Sequence, residues 1–164
     1  MAERFTQKYC LVQLVAPLSD GFEFVMSEWP LHVTLADVFK VTGEPQEVLG
    51  RLGVGVAGLV PFDSTIVGEE WFGPEQTVRV RLLDLTPALR ELHETCVTAL
   101  EEFDVVFNSP QFMRDGFRPH STVKRGQELH IGDAVRFDAL TLIDMFPDGD
   151  PAKRRILGTV PFGG

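Results

Sequence analysis

Two hexapeptides constrain this chain more than any other feature. Residues 30–35 read PLHVTL, and residues 118–123 read RPHSTV. Each sets a histidine just after a proline, then a spacer, a threonine and an aliphatic residue. The histidines, His32 and His120, stand about half the chain apart. With this composition about a quarter of one His-x-Thr is expected by chance; three occur, at His32, His93 and His120, and only those at His32 and His120 carry a proline within two residues before and an aliphatic residue after. Successive side chains of a strand point to opposite faces. His32 and Thr34 therefore share one face while Val33 and Leu35 take the other, and His120 and Thr122 repeat the pattern. A fold that uses both motifs has to bring two such strands together.

The rest of the chain supports a duplication. Residues 8–15, KYCLVQLV, read as a central strand. Residues 44–52 read as a short helix, with Thr42 as a candidate cap, Pro45 near the start and Val48, Leu49 and Leu52 as an apolar stripe. The glycine-rich GVGVAGLVPF fits no element cleanly. Residues 60–70 and 77–83 read as strands around the turn FGPEQ. Residues 86–103 are the best helix, with Thr86 as N-cap and Pro87 at the first helical position. The passage NSPQFMRDGF reads as a loop leading into the second motif. Residues 134–146 and 153–162 form a last strand pair around PDGDPAK. Both strand pairs open on Phe-Asp, at Phe62-Asp63 and Phe137-Asp138. This is an internal repeat of two lobes about a pseudo-twofold axis, with equivalent side chains facing one another across a cleft.

Composition narrows the function. The net charge of −9 argues against a broad grip on long nucleic acid, which needs a cationic surface. It leaves room for a small phosphorylated ligand held by a few local donors. No apolar run approaches the roughly 20 residues of a membrane span. The start, MAERFTQKYCLVQLV, lacks a signal-peptide layout, so a soluble, cytoplasmic protein is expected. Cys10 and Cys96 read as buried free thiols. No zinc-type spacing occurs, and the expected site holds no metal.

Two histidines on opposite sides of one phosphate suit acid–base chemistry. Imidazole is available in both protonation states near neutral pH. One ring removes a proton from the attacking oxygen and the other protonates the leaving oxygen. The Thr34 and Thr122 hydroxyls are placed to donate to non-bridging phosphate oxygens. HVTL and HSTV, one per half and led by WPLHVTL and FRPHSTV, resemble the paired His-x-Thr/Ser signature of the 2H phosphoesterase superfamily. That superfamily includes LigT-like 2′-5′ RNA ligases and cyclic nucleotide phosphodiesterases.

The resemblance implies an α+β fold over residues 1–164. It would be a single domain of two pseudo-symmetric lobes, each an antiparallel sheet with flanking helices, with the active-site cleft between the sheets. It implies His32, Thr34, His120 and Thr122 as the catalytic set. It implies a metal-independent phosphoesterase without a cofactor, acting on 2′,3′-cyclic phosphates, ADP-ribose cyclic phosphate, 2′-5′ linkages or RNA 3′ ends. It favours His120 as base toward water and His32 as acid. The expected partner is a nucleotide or short RNA end, with no extended nucleic-acid surface and no membrane, bound by a monomer.

Secondary candidates surround this set. Lys124, with Arg125, contacts phosphate or remains a solvated strand-end charge. Arg118 meets phosphate or pairs with Asp115. Trp29 and Phe72, with Phe39, Trp71 and Phe112, are aromatics available to stack on a base. His93, in the helix, reads as a surface or boundary residue, and His130 as a loop residue. The chain departs from the ligase pattern in being acidic and poor in basic residues near the first motif, where Asp37 follows. Three rivals stand beside hydrolysis: 2′-5′ RNA ligation by the same site, a nucleotide-binding module without turnover, and a metal-dependent hydrolase using four histidines.

Overall fold

The computed structural model describes residues 7–124 and 126–163. β1 (Tyr9–Leu14) is the near-continuous apolar run of the sequence, and all of it is buried. That is the pattern of a strand covered on both faces. β2 (Glu23–Val25) precedes β3 (His32–Lys40), which carries the first motif. α1 (Pro45–Val56) is followed by the hairpin β4 (Phe62–Phe72) and β5 (Val78–Leu83), then by α2 (Pro87–Glu101). The short β6 (Val106–Phe107) and two single 3-10 turns lead to β7 (His120–Thr122), which carries the second motif. β8 (Ala134–Phe137), β9 (Ala139–Asp144) and β10 (Lys153–Pro161) follow.

The strands form two antiparallel sheets. One runs β2-β10-β9-β1-β3-β6 and the other β7-β5-β4-β8. The fold is α+β with two lobes, as expected, but the lobes are not the two halves of the sequence. The β4–β5 hairpin that follows His32 builds the sheet of His120. The β9–β10 pair that follows His120 builds the sheet of His32. The strand expected over 134–146 is broken at Asp138, where the chain passes from one sheet to the other. The buried Gln13 pins this crossing. Its Oε1 accepts from the N–H of Asp138 at 2.9 Å and of Ala139 at 3.1 Å. The repeated Phe-Asp pairs meet there: Phe62 lies opposite Phe137, and their rings stack at 5.2 Å and 13°.

Both helices start on proline. Thr86 caps α2, its hydroxyl accepting from the Leu89 N–H at 3.2 Å. α1 differs from the expectation at both ends. Glu44, not Thr42, takes the cap position, and the Glu47 carboxylate accepts from its N–H at 3.3 Å. Thr42 instead donates to the Phe103 carbonyl. The helix also runs on through GVGV to Val56, which is buried one turn beyond Leu52. Glycine disfavours a helix by about 1 kcal/mol per residue, but here it permits close packing. A Cβ on Gly55 would stand 3.2 Å from Thr95 Cγ2 of α2.

The main core joins both helices to one face of the six-stranded sheet and to the inner residues of the four-stranded one. A smaller cluster, with Cys10, Val12, Leu14, Phe24 and Ile156, covers part of the opposite face. Val12 pairs with Thr34 and Leu14 with His32, so the motif side chains share this second face, away from the helices. Among the described residues no helix is long and apolar enough to cross a membrane.

Candidate active site

β3 and β7 lie against each other and bring the two motifs together from different sheets. The histidines are presented in the same way. His32 Nδ1 lies 2.7 Å from the Pro30 carbonyl, and His120 Nδ1 lies 2.7 Å from the Arg118 carbonyl. A carbonyl can only accept, so each Nδ1 carries the proton and each neutral ring has its lone pair on Nε2. Such a bond fixes both tautomer and ring direction. Each ring also meets an aromatic. Trp29 lies against His32 at 4.8 Å and 35°, and Phe72 meets His120 edge-on at 4.7 Å and 69°.

The electrostatic settings differ. Burial pushes His32 down to about 4, with further depression from Lys124 and His120 and partial relief from the Pro30 carbonyl. Burial also lowers His120; the Arg118 carbonyl and the Asp37 carboxylate act against it, and the Arg118 guanidinium adds to it. Both rings are half-buried and neutral at pH 7. Burial lowers Lys124 as well.

A cavity of about 1020 Å³ opens beside them, lined by Thr34, Asp37, Glu70, Phe72, Arg118 and His120 and rimmed by Trp71 and Phe112. Thr34 rests against the Cys10 thiol, which burial pushes up to about 12. Both cysteines are free and buried, as the sequence suggested. Among the described residues no three His, Cys, Asp or Glu side chains group as a metal site.

A family model for the 2′-5′ RNA ligase superfamily matches residues 16–141, a span that includes both motifs. This chain belongs to the 2′-5′ RNA ligase superfamily. No curated protein matches it closely enough to count as a relative. Several solved structures share its fold. Escherichia coli LigT, solved in complex with ATP, is 16% identical with a TM-score of 0.57, the match covering 96% of this chain and 98% of LigT. The crystal structure of a phosphoesterase is 16% identical with a TM-score of 0.55, the match covering 96% of this chain and 99% of that one. A Thermus thermophilus protein is 17% identical with a TM-score of 0.51, covering 96% and 98%. LigT has also been solved with NADP+ and with 3′-AMP.

Within this superfamily member, the secondary candidates separate. Phe72 lines the cavity, as do Trp71 and Phe112. Trp29 does not; it packs between His32 and Phe24 in the smaller cluster. Phe39 is wholly buried in the main core. Arg118 pairs with Glu70 at 2.5 Å rather than with Asp115, and lies over the Phe72 ring at 5.1 Å. Lys124 acts on His32 from the opposite sheet. Arg125 lies outside the described residues. His130 is exposed, near Glu128 and Asp133.

His93 corrects the expectation. It is fully buried, not at the surface or boundary. Its Nδ1–H donates to the Leu35 carbonyl at 2.7 Å and its Nε2 accepts from the Arg114 N–H at 2.8 Å. The ring stacks on Phe117 at 3.8 Å and 3°. It thus ties α2 to the first motif strand and to the loop entering the second. Burial lowers its protonation. Its helical position beside the apolar stripe was visible; the polar partners that make burial tolerable lie 21 and 58 residues away. No signal in the sequence marked Glu70, which lines the cavity.

Proposed function

We propose that this protein is a phosphoesterase that opens a 2′,3′-cyclic or 2′-linked phosphodiester with His32 and His120 as its acid–base pair, without a metal ion. The observation that carries this reading is the matched presentation of the two rings. Each is tied by Nδ1 to the carbonyl two residues back. Each is carried by a strand of a different sheet, the two strands lie against each other, and His120 is near enough to act on the protonation of His32. In-line displacement at phosphorus needs a base and an acid on opposite sides, and two facing strands supply them. Thr34 and Thr122 follow on the same strand faces and donate to the non-bridging oxygens as charge develops.

The charged neighbours favour a division of labour opposite to the one the resemblance suggests. His32, held neutral beside Lys124, takes the proton from water. His120, with Asp37 near it, acts from its imidazolium form, protonated on both ring nitrogens, and delivers the Nε2 proton to the leaving oxygen. In ligation the same two groups exchange roles.

The test is turnover of 2′,3′-cyclic mononucleotides in chelator by wild type, His32→Ala and His120→Ala, with folding checked by circular dichroism. Either single variant is expected to lose activity by roughly 10²–10⁴-fold. Near-normal turnover in one of them would remove that histidine from the mechanism. A nucleotide ester with a nitrophenolate leaving group separates the roles, since that group departs without a proton. It is expected to restore His120→Ala and leave His32→Ala inactive.

A further inference from the structure

The cavity beyond the histidines holds more carboxylate than cation. Asp37 reaches it through an irregularity in β3. Between Val12 and Leu11 the pairing advances one residue on β1, while on β3 it advances two, from Thr34 to Ala36. The extra residue leaves Leu35 and Ala36 both buried and turns Asp37 to the face of His32 and Thr34. Without it, Ala36 would take that place. Glu70 enters from the opposite sheet. The register Thr122–Val80–Glu70 puts it two strands from Thr122 on one face.

Among the described residues that line the cavity, Arg118 is the one cation, and it is occupied by Glu70. Glu69, also in the lining, is paired with Arg79 at 2.9 Å and with Arg81. Among the described lining residues Asp37 has no second cation to pair with. Lys124 is not in the lining and acts on His32.

Resting on the phosphoesterase reading above, we infer that the site takes a nucleotide with a single phosphate and excludes one bearing a second phosphate, with Asp37 and Glu70 as the excluding residues. The one phosphoester lies between the histidines, where Lys124 offsets its charge. The cavity then receives an uncharged nucleoside, whose hydroxyl and amine donors suit carboxylate acceptors and whose base suits the Trp71 and Phe112 rim. A second phosphate there would face two carboxylates in a partly desolvated space, which weakens binding by roughly tenfold for each. Among candidate substrates, 2′,3′-cyclic mononucleotides rank above ADP-ribose cyclic phosphate and above oligonucleotide ends.

Calorimetric binding of 3′-AMP and adenosine 3′,5′-bisphosphate tests this, since neither carries a phosphodiester to be cleaved. Wild type is expected to bind 3′-AMP more tightly by roughly tenfold or more. Glu70→Gln is expected to narrow the ratio most, because it removes a carboxylate and frees Arg118. Asp37→Asn is expected to narrow it less, and added salt to narrow it in wild type. Equal or tighter binding of the bisphosphate, or a ratio unmoved in both variants, overturns the inference. If that occurs while wild type still opens cyclic mononucleotides, the selectivity claim falls alone. If neither nucleotide binds and no turnover is seen, the phosphoesterase reading falls and takes the selectivity with it.

Discussion

The His32 and His120 halves of the site share a backbone plan and differ in surroundings. Both have a proline lead, a 2.7 Å bond from Nδ1 to a carbonyl, an aromatic neighbour and a threonine two residues on. His32 is backed by Trp29, which packs on Phe24 at 5.1 Å within a hydrophobic cluster. His120 is flanked by Phe72, a wall of the open cavity. Lys124 depresses protonation of the first; at the second, Asp37 favours protonation and opposes the Arg118 guanidinium. A duplicated local sequence thus fixes how each ring is aimed. Burial and charges contributed by the opposite sheet decide what each ring is suited to do.

The comparison can be broken at several strengths. The largest effect is expected from removing either imidazole, and the nitrophenolate ester then tells base from acid. If both variants recover on that ester, or neither does, the division of labour is wrong. Thr34→Val and Thr122→Val come next. Each removes one donor to the developing charge and is expected to lower kcat by roughly 10²-fold with little change in KM. Unequal losses would show that one half carries more of the phosphate.

His93→Leu tests the buttress common to both halves. It leaves the Leu35 carbonyl and the Arg114 N–H without their partner, and each orphaned buried group costs about 1–3 kcal/mol. Urea unfolding is the readout, and a variant as stable as wild type would contradict the buttress. Acid unfolding sharpens the same point. His32, His93 and His120 are all lowered in the folded state by burial. The unfolded chain therefore binds more protons below the ordinary histidine value of about 6.5. Their contribution to stability is complete above that pH and is lost as pH falls toward about 4, the value for His32. The urea midpoint should fall across that window, and less so in His93→Leu.

The smallest effect is expected from Asp37→Asn. Without that carboxylate the high-pH limb of the rate profile, set by His120 as acid, moves to lower pH. The low-pH limb, set by His32, stays in place. Movement of the low-pH limb instead would assign Asp37 to the wrong ring.

The local elements were readable because their signals are local. The apolar run of β1, the Thr86-Pro87 start of α2 and the alternation around His32 each follow from a few adjacent residues. The exchange of strand pairs between lobes was not readable, because the break at Asp138 depends on Gln13, 125 residues away. Gly53 and Gly55 hid the end of α1; the use of Gly55 is close contact with Thr95 of α2, far along the chain. The four motif residues announced themselves through repetition. Glu70 and the cavity-facing turn of Asp37 did not, because sheet register and a bulge decide which way a strand carboxylate points.

The most direct test of the two-histidine account is turnover of 2′,3′-cyclic AMP at pH 7 in chelator by wild type, His32→Ala and His120→Ala. The account predicts that wild type releases a single monophosphate isomer and that each variant, still folded, falls by roughly 10²–10⁴-fold. A silent wild type, or a variant that keeps full activity, would contradict it.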